Sequence, residues 1–282
     1  MQGRAAAPAA GTVLNALANG FGSAFAIDAY TTATVELDDS GTVTGEVAEA
    51  PDADTRLIER CAELVLEEYA GDADGSGPTG GHVRTESEVP MAGGLKSSSA
   101  AANATVLATL DALGVDLDRE AACRIGVEAA RDAGVTVTGA FDDASASMLG
   151  GVTVTDNTED ELLVREEPEW DVLVYTPDER GFSADADVSR CRRIAPMADI
   201  VRELALDGEF RRAMCVNGFA FCAALDRPAD PIVEALPEAA ASLSGTGPSY
   251  TAVGDRDALE ALSETWNQRE GETWLTTTQR TG

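Results

Sequence analysis

A chain of 282 residues with 50 acids against 20 bases carries a formal net charge of −30 and a sequence pI near 4.1. That charge excludes nucleic-acid binding through a broad basic surface and opposes attraction to an anionic membrane. The length supports one large domain or two ordinary ones, the 44% hydrophobic content excludes disorder, and no uninterrupted apolar run is long enough to span a bilayer.

The Ala-rich N-terminus holds one positive charge, Arg4, and Gly, Asn and Asp28 interrupt it, so it does not read as a signal peptide. Thr32 to Leu37 alternates with the period of a strand, and the turn signal Asp38 to Gly41 predicts a hairpin with the "TVTGEV" that follows. Residues 54–69 place Leu57, Ile58, Cys61, Leu64, Val65 and Leu66 at helical spacing, with Asp54 or Thr55 as the cap. Gly71 to Gly81 is a loop, and "HVRTESEV" alternates again as a strand. The next two helices follow the "GGLKSSS" loop. One has Ala101, Val106, Leu107, Leu110 and Leu113 on one side. The other is capped by Asp118 and stopped by Gly134.

"GAFDDASASMLGG" then leads into a strand, "GVTVTD", and the acidic stretch Asn157 to Glu169 reads as exposed. Trp170 to Pro177 is a buried strand. Helices are predicted at 196–206, 209–225, 231–241 and 256–267, with a glycine turn and strand from Ser242 and a last strand at 273–278. The pattern is α+β with no internal repeat. Its boundary falls between 152 and 170, giving domains 1–155 and 156–282.

The positive charges comprise 19 arginines and one lysine, Lys96, and the acids are dispersed along the chain. Dense carboxylates with few lysines and few large aromatics read as adaptation to high salt, where repulsion is screened and the surface stays hydrated. Five cysteines without metal-type spacing read as reduced, mostly buried thiols of a cytoplasmic protein. His82 is the only histidine, which makes His-rich metal sites and histidine triads improbable.

Three segments carry chemistry. The first is Pro90, Met91, Ala92, Gly93, Gly94, Leu95, Lys96, Ser97, Ser98, Ser99 and Ala100. A glycine-serine loop that opens a helix cradles phosphate, because free N–H groups and the helix dipole meet the anion there. The serine hydroxyls suit phosphate or Mg²⁺, and the lone lysine suits a polyphosphate. The spacing is not that of a P-loop. The second segment, Gly139 to Ser145 with Gly150-Gly151, offers Asp142 and Asp143 as base or metal ligand. The third, Ser244 to Ser249, brings backbone close to a ligand through Gly245, Thr246 and Gly247. Taken alone, each reads equally as a helix cap, an acidic turn or a tight turn.

Together, in this order, P-x-x-x-G-L-x-S-S-x-A, G-x-x-D-D-x-x-x-S and S-G-T-G-P-S resemble the GHMP small-molecule kinases over nearly the whole chain. "GLKSSSA" and "GAFDDASAS" are most similar to the archaeal shikimate kinases of that family. The resemblance implies a two-domain α+β kinase fold with the site between the domains. It implies ATP with Mg²⁺ as cofactors and shikimate as the acceptor of a phosphoryl group. It assigns the phosphates to the loop Gly93 to Ser99, Mg²⁺ to Ser98 and Glu128, and the substrate proton to Asp143, with Asp142 as the alternative. Lys96 joins the catalytic set, and Asn19 to Asp28 form a substrate wall. The family's N-terminal Lys or Arg is missing from Ala7-Pro8-Ala9-Ala10. Homoserine or mevalonate kinase activity, or a non-catalytic metabolite-binding module, remain the alternatives.

Overall fold

The computed structural model describes residues 1–71, 77–89, 93–136, 139–178 and 187–280. The chain opens with β1 (Gln2–Leu14) and the 18-residue β2 (Phe21–Asp38), paired antiparallel from Gln2–Glu36 to Leu14–Ser23. Then follow β3 (Val43–Val47), α1 (Arg56–Tyr69), β4 (Gly80–Ser87), α2 (Ser97–Leu113), α3 (Arg119–Asp132), α4 (Phe141–Leu149), β5 (Val152–Asp156) and β6 (Glu161–Glu166). The first sheet has the order β3-β4-β2-β5-β6, with β1 on the other edge of β2.

The expected hairpin between β2 and β3 does not form. The turn is there, with Ser40 N donating to Asp38 Oδ1, but β3 pairs in parallel with β4. Both edges of β2 are already taken over this stretch, by β1 on one side and by β4 at residues 31–38 on the other. The alternation of β4 buries Val83 and Thr85 and fits it between the two.

The helix caps follow local chemistry. Asp118 accepts from the N–H groups of Glu120 and Ala121, and Gly134 ends α3 with its N–H on Arg131 O. α2 differs from the one-sided helix expected. It is buried nearly all round, with Ala100, Ala104, Val106, Ala108 and Leu110 in contact with sheet or helix neighbours. It packs on β1 and β2 on one side and on α1, α3 and α4 on the other. Small residues make this possible: a Cβ on Gly3 would lie 2.1 Å from Ala108 O.

The second sheet, ordered β10-β7-β9-β8, is antiparallel. In chain order its part of the molecule holds β7 (Asp171–Thr176), α5 (Val188–Arg193), α6 (Ala195–Leu206), α7 (Phe210–Leu225), α8 (Asp230–Ala235), β8 (Ala239–Leu243), β9 (Tyr250–Gly254), α9 (Arg256–Trp266) and β10 (Glu272–Thr277). α5 and β6 were not expected from the sequence. The helix expected at 231–241 stops at Ala235 because Ala239 onward joins the sheet beside β9. Sheet membership changes between Glu166 and Asp171. One core nevertheless runs across both sheets, uniting Leu14, Phe25 and Ile27 with Val172, Leu173 and Trp266. All five cysteines are free thiols, and burial pushes the pKa of Cys61 and Cys123 well up. Among the described residues no helix is long and apolar enough to cross a membrane.

Candidate active site

Three loops far apart in sequence meet at one cleft. The first ends in Lys96, at the N-terminus of α2. Lys96 O accepts the first helical bond, from Ala100 N, so the N–H groups of Ser97, Ser98 and Ser99 have no acceptor within the helix. Leu95 and Ala100 are fully buried and do not line the cleft, so these two anchor the loop. Lys96, Ser98 and Ser99 line the cleft. Pro90, Met91 and Ala92 lie outside the described residues.

The third segment is bound directly to the first. Ser249 N donates to Gly93 O, and Ser244 Oγ donates to Gly94 O at 2.8 Å. Gly94 has φ +83°, and a Cβ there would stand 2.4 Å from Ser244 O. Only glycine allows the two loops to touch. Gly245 and Thr246 line the cleft, whereas Gly247 packs towards Arg227.

Buried polar residues that the sequence did not single out hold this wall. Thr12 Oγ1 accepts from Gly245 N, and Asn15 Nδ2 donates to Gly245 O. Asn15 N in turn donates to Asn217 Oδ1, and Asn217 Nδ2 donates to Ser242 Oγ. Their signal in the sequence is only that of polar residues inside apolar runs. Asn15, Ala16 and Leu17 form the N-terminal edge of the cleft. The stretch Asn19 to Asp28, expected as that wall, contributes no lining residue because from Phe21 onward it is strand β2.

The second segment places both aspartates in the first turn of α4 rather than in a loop. Asp143 Oδ1 lies 2.6 Å from Lys96 Nζ, a close ion contact rather than an aligned hydrogen bond. The two side chains are only 19% and 7% exposed. Asp142 turns the other way. It is 4% exposed, and its Oδ1 accepts from Asn157 Nδ2 at 2.6 Å. Burial, then the charge of Asp143, push its pKa up to about 7. Both aspartates line the cleft, Asp143 in contact with the Lys96 ammonium and Asp142 with its carboxyl on the Asn157 amide.

Glu128 does not join them. It is exposed, while Gly126, Val127 and Ala130 are the residues of α3 that line the cleft. The expected Ser98–Glu128 metal pair is therefore not assembled, because the step of about 100° from Val127 to Glu128 carries the carboxylate to the solvent side. Ala10 packs with Ala24 and Ala146 in a small apolar cluster, and the ammonium that meets the aspartate arrives from α2.

GHMP kinases N terminal domain is the family description that matches, over residues 56–151. Over its full length the chain is 62% identical to the shikimate kinase of Halobacterium salinarum strain R1, covering 99% of that protein. It is 54% identical to the shikimate kinase of Methanothrix thermoacetophila, with 96% of this chain and 92% of that one covered. The chain belongs to the GHMP kinase family. In fold it is similar to homoserine kinase from Cytophaga hutchinsonii (TM-score 0.77, 17% identity, 100% and 96% of the two chains covered). It is also similar to the Methanococcus jannaschii mevalonate kinase (TM-score 0.76, 13% identity, 99% and 98% covered). The family's ATP-dependent phosphoryl transfer suits a cleft in which free N–H groups, an ammonium and a carboxylate converge. A salt-adapted composition agrees with the Halobacterium relative.

Proposed function

We propose that the protein transfers the γ-phosphoryl group of ATP to shikimate, giving shikimate 3-phosphate and ADP. The observation that carries this reading is the full-length likeness to shikimate kinases, at 62% identity in one case. The homoserine and mevalonate kinases match in fold alone, at 17% and 13% identity.

The chemistry asks for positioning and charge stabilisation more than for covalent help. The N–H groups of Ser97 to Ser99 and the α2 dipole hold the phosphates. Lys96 stands between those phosphates and Asp143, where its charge offsets what develops on the transferred group. Asp143 orients the attacking hydroxyl and accepts its proton as the oxygen bonds to phosphorus and the ADP oxygen leaves. Gly245 and Thr246 close the far wall.

Mg²⁺ fits this donor set in one way. Among the described residues no group of three or more His, Cys, Asp or Glu side chains gathers to hold a metal, and a hydroxyl, Ser98, stands at the phosphate end of the cleft. Mg²⁺ takes few protein oxygens and keeps its waters and phosphates, so Ser98 would hold it against the nucleotide. When bound it neutralises phosphate charge. Free thiols throughout suit a reducing cytoplasm.

The test is ADP release coupled to a reporter in molar KCl, with shikimate, homoserine and mevalonate as acceptors. Turnover with shikimate and background rates with the other two are expected. Turnover with either of the others, and none with shikimate, would overturn the assignment.

A further inference from the structure

Asn157, expected to begin an exposed acidic stretch, is 4% exposed and lies beneath the cleft. Its amide makes a two-point contact with the first turn of α4. Oδ1 accepts from Asp142 N at 3.2 Å, and Nδ2 donates to Asp142 Oδ1 at 2.6 Å. Thr155 Oγ1 donates to the same Asn157 Oδ1 at 2.7 Å, which fixes the orientation of the amide. Asn157 itself is held through its N–H, which donates to Gly20 O where the chain enters β2. On the far side of Asp142 there is no spare volume: a Cβ on Gly22 would stand 2.4 Å from Asp142 Oδ2.

These contacts bear on a choice the sequence leaves open. Two adjacent aspartates on a helix point about 100° apart, so the two that line this cleft meet different partners. The amide of Asn157 matches an inward carboxylate together with its own backbone N–H. It thereby holds the Asp142 carboxyl on the amide at the cleft wall and leaves Asp143 to meet Lys96. The contact also satisfies one of the first-turn N–H groups of α4, whose N-cap residue, Ala140, has no side chain able to do so.

We propose that Asn157 is a positioning residue for phosphoryl transfer, an amide clamp on Asp142 that sets the angle at which Asp143 meets Lys96 and the substrate hydroxyl. This rests on the kinase reading above. It requires that turnover depend on the carboxylate–amide match and not on which of the two positions carries the carboxylate.

The experiment is an exchange of the pair. In Asn157→Asp two carboxyl oxygens face each other where a donor and an acceptor stood. In the double variant Asp142→Asn/Asn157→Asp every donor again faces an acceptor. The backbone N–H of position 142, the Thr155 hydroxyl and the new amide all meet the transplanted carboxylate. Asn157→Asp is expected to lower kcat about 10–100-fold with KM for ATP within twofold of the parent, the signature of lost alignment. The exchanged variant is expected to recover to within about fivefold of the parent. Folding is followed by circular dichroism in the same molar KCl. A folded Asn157→Asp with parental kcat overturns the proposal. So does an exchanged variant that stays as slow as the single one, or that fails to fold. If the single variant does not fold, recovery in the exchanged protein decides alone. Failure of the parent protein itself to phosphorylate shikimate would instead strike the substrate assignment, so the two failures are distinguishable.

Discussion

Lys96 holds φ +62°, a left-handed conformation that costs an L-residue about 1–3 kcal/mol. Glycine would avoid that cost, and the chain puts its only lysine there instead. The side chain is mostly buried and meets Asp143, so the strain serves a fixed ammonium. Lys96→Ala is expected to raise KM for ATP or slow transfer while affinity for shikimate stays near the parent value. Lys96→Arg should rescue only in part, since a planar fork does not replace a compact charge. Parental turnover and KM in both variants would remove Lys96 from the mechanism. Asp143→Asn is expected to lower turnover about 10²–10⁴-fold with ATP binding retained, and Asp142→Asn to lower it less. The reverse ranking would exchange the two roles. Asp142 also carries a pH signature. Its pKa rises from 3.8 in the open chain to about 7 in the fold, so the folded state binds that proton more tightly. This stabilising contribution is complete below 3.8 and is lost as pH rises through about 7. In melts from pH 4 to 8, Asp142→Asn should therefore gain on the parent as pH rises. A constant difference in melting temperature would mean the carboxyl titrates normally.

At the scale of elements, the site is a seam between the start of α2 and the turn joining β8 to β9. Gly94 is where the two come closest, and Gly94→Ala tests whether that seam matters for nucleotide. The left-handed backbone alone costs about 1–3 kcal/mol, and the Cβ would also press on Ser244 O. A lower melting temperature together with a raised KM for ATP is the expected result. Lost stability with an unchanged KM would show that the seam supports the fold but not the phosphates. α4 behaves in the same manner: its first turn is held from below by Asn157 and Thr155 and from within by Ser145 Oγ on Asp142 O. The reactive residues thus sit on helix starts pinned by strands, which keeps the carboxylate and ammonium in register.

Across the whole molecule, the excess of negative charge ties stability to salt. With 50 acids against 20 bases, repulsion is tolerable only where salt screens it. Several ion pairs join exposed arginines to acids, such as Arg56–Asp54 and Arg124–Glu120. Pairs this exposed contribute little and do not offset the excess. Thermal melts from molar KCl to ~0.1 M should show a large fall in melting temperature. A flat profile would contradict salt adaptation.

Much of the chemistry was legible in the sequence because its carriers are local. A glycine-serine loop before a helix, an Asp118 cap, a Gly134 stop and the order of three motifs are each contained within a few residues, and backbone preference and anion binding act over that range. What the tertiary structure decided is non-local. Strand β4, separated in sequence by α1, displaced the hairpin by occupying the edge that β3 would have used. Residues 161–166 became a strand because β5 offered a partner, although their composition reads as exposed. Glu128 and Val127 are neighbours in sequence, yet only one faces the cleft. Asp142 and Asp143 both line the cleft but meet different partners, which composition and spacing cannot separate. Their difference comes from what packs against each face of α4: Gly22 and the Asn157 amide on one side, Lys96 on the other. A helix rotates adjacent side chains into different surroundings, and those surroundings are supplied by parts of the chain that meet only in the fold.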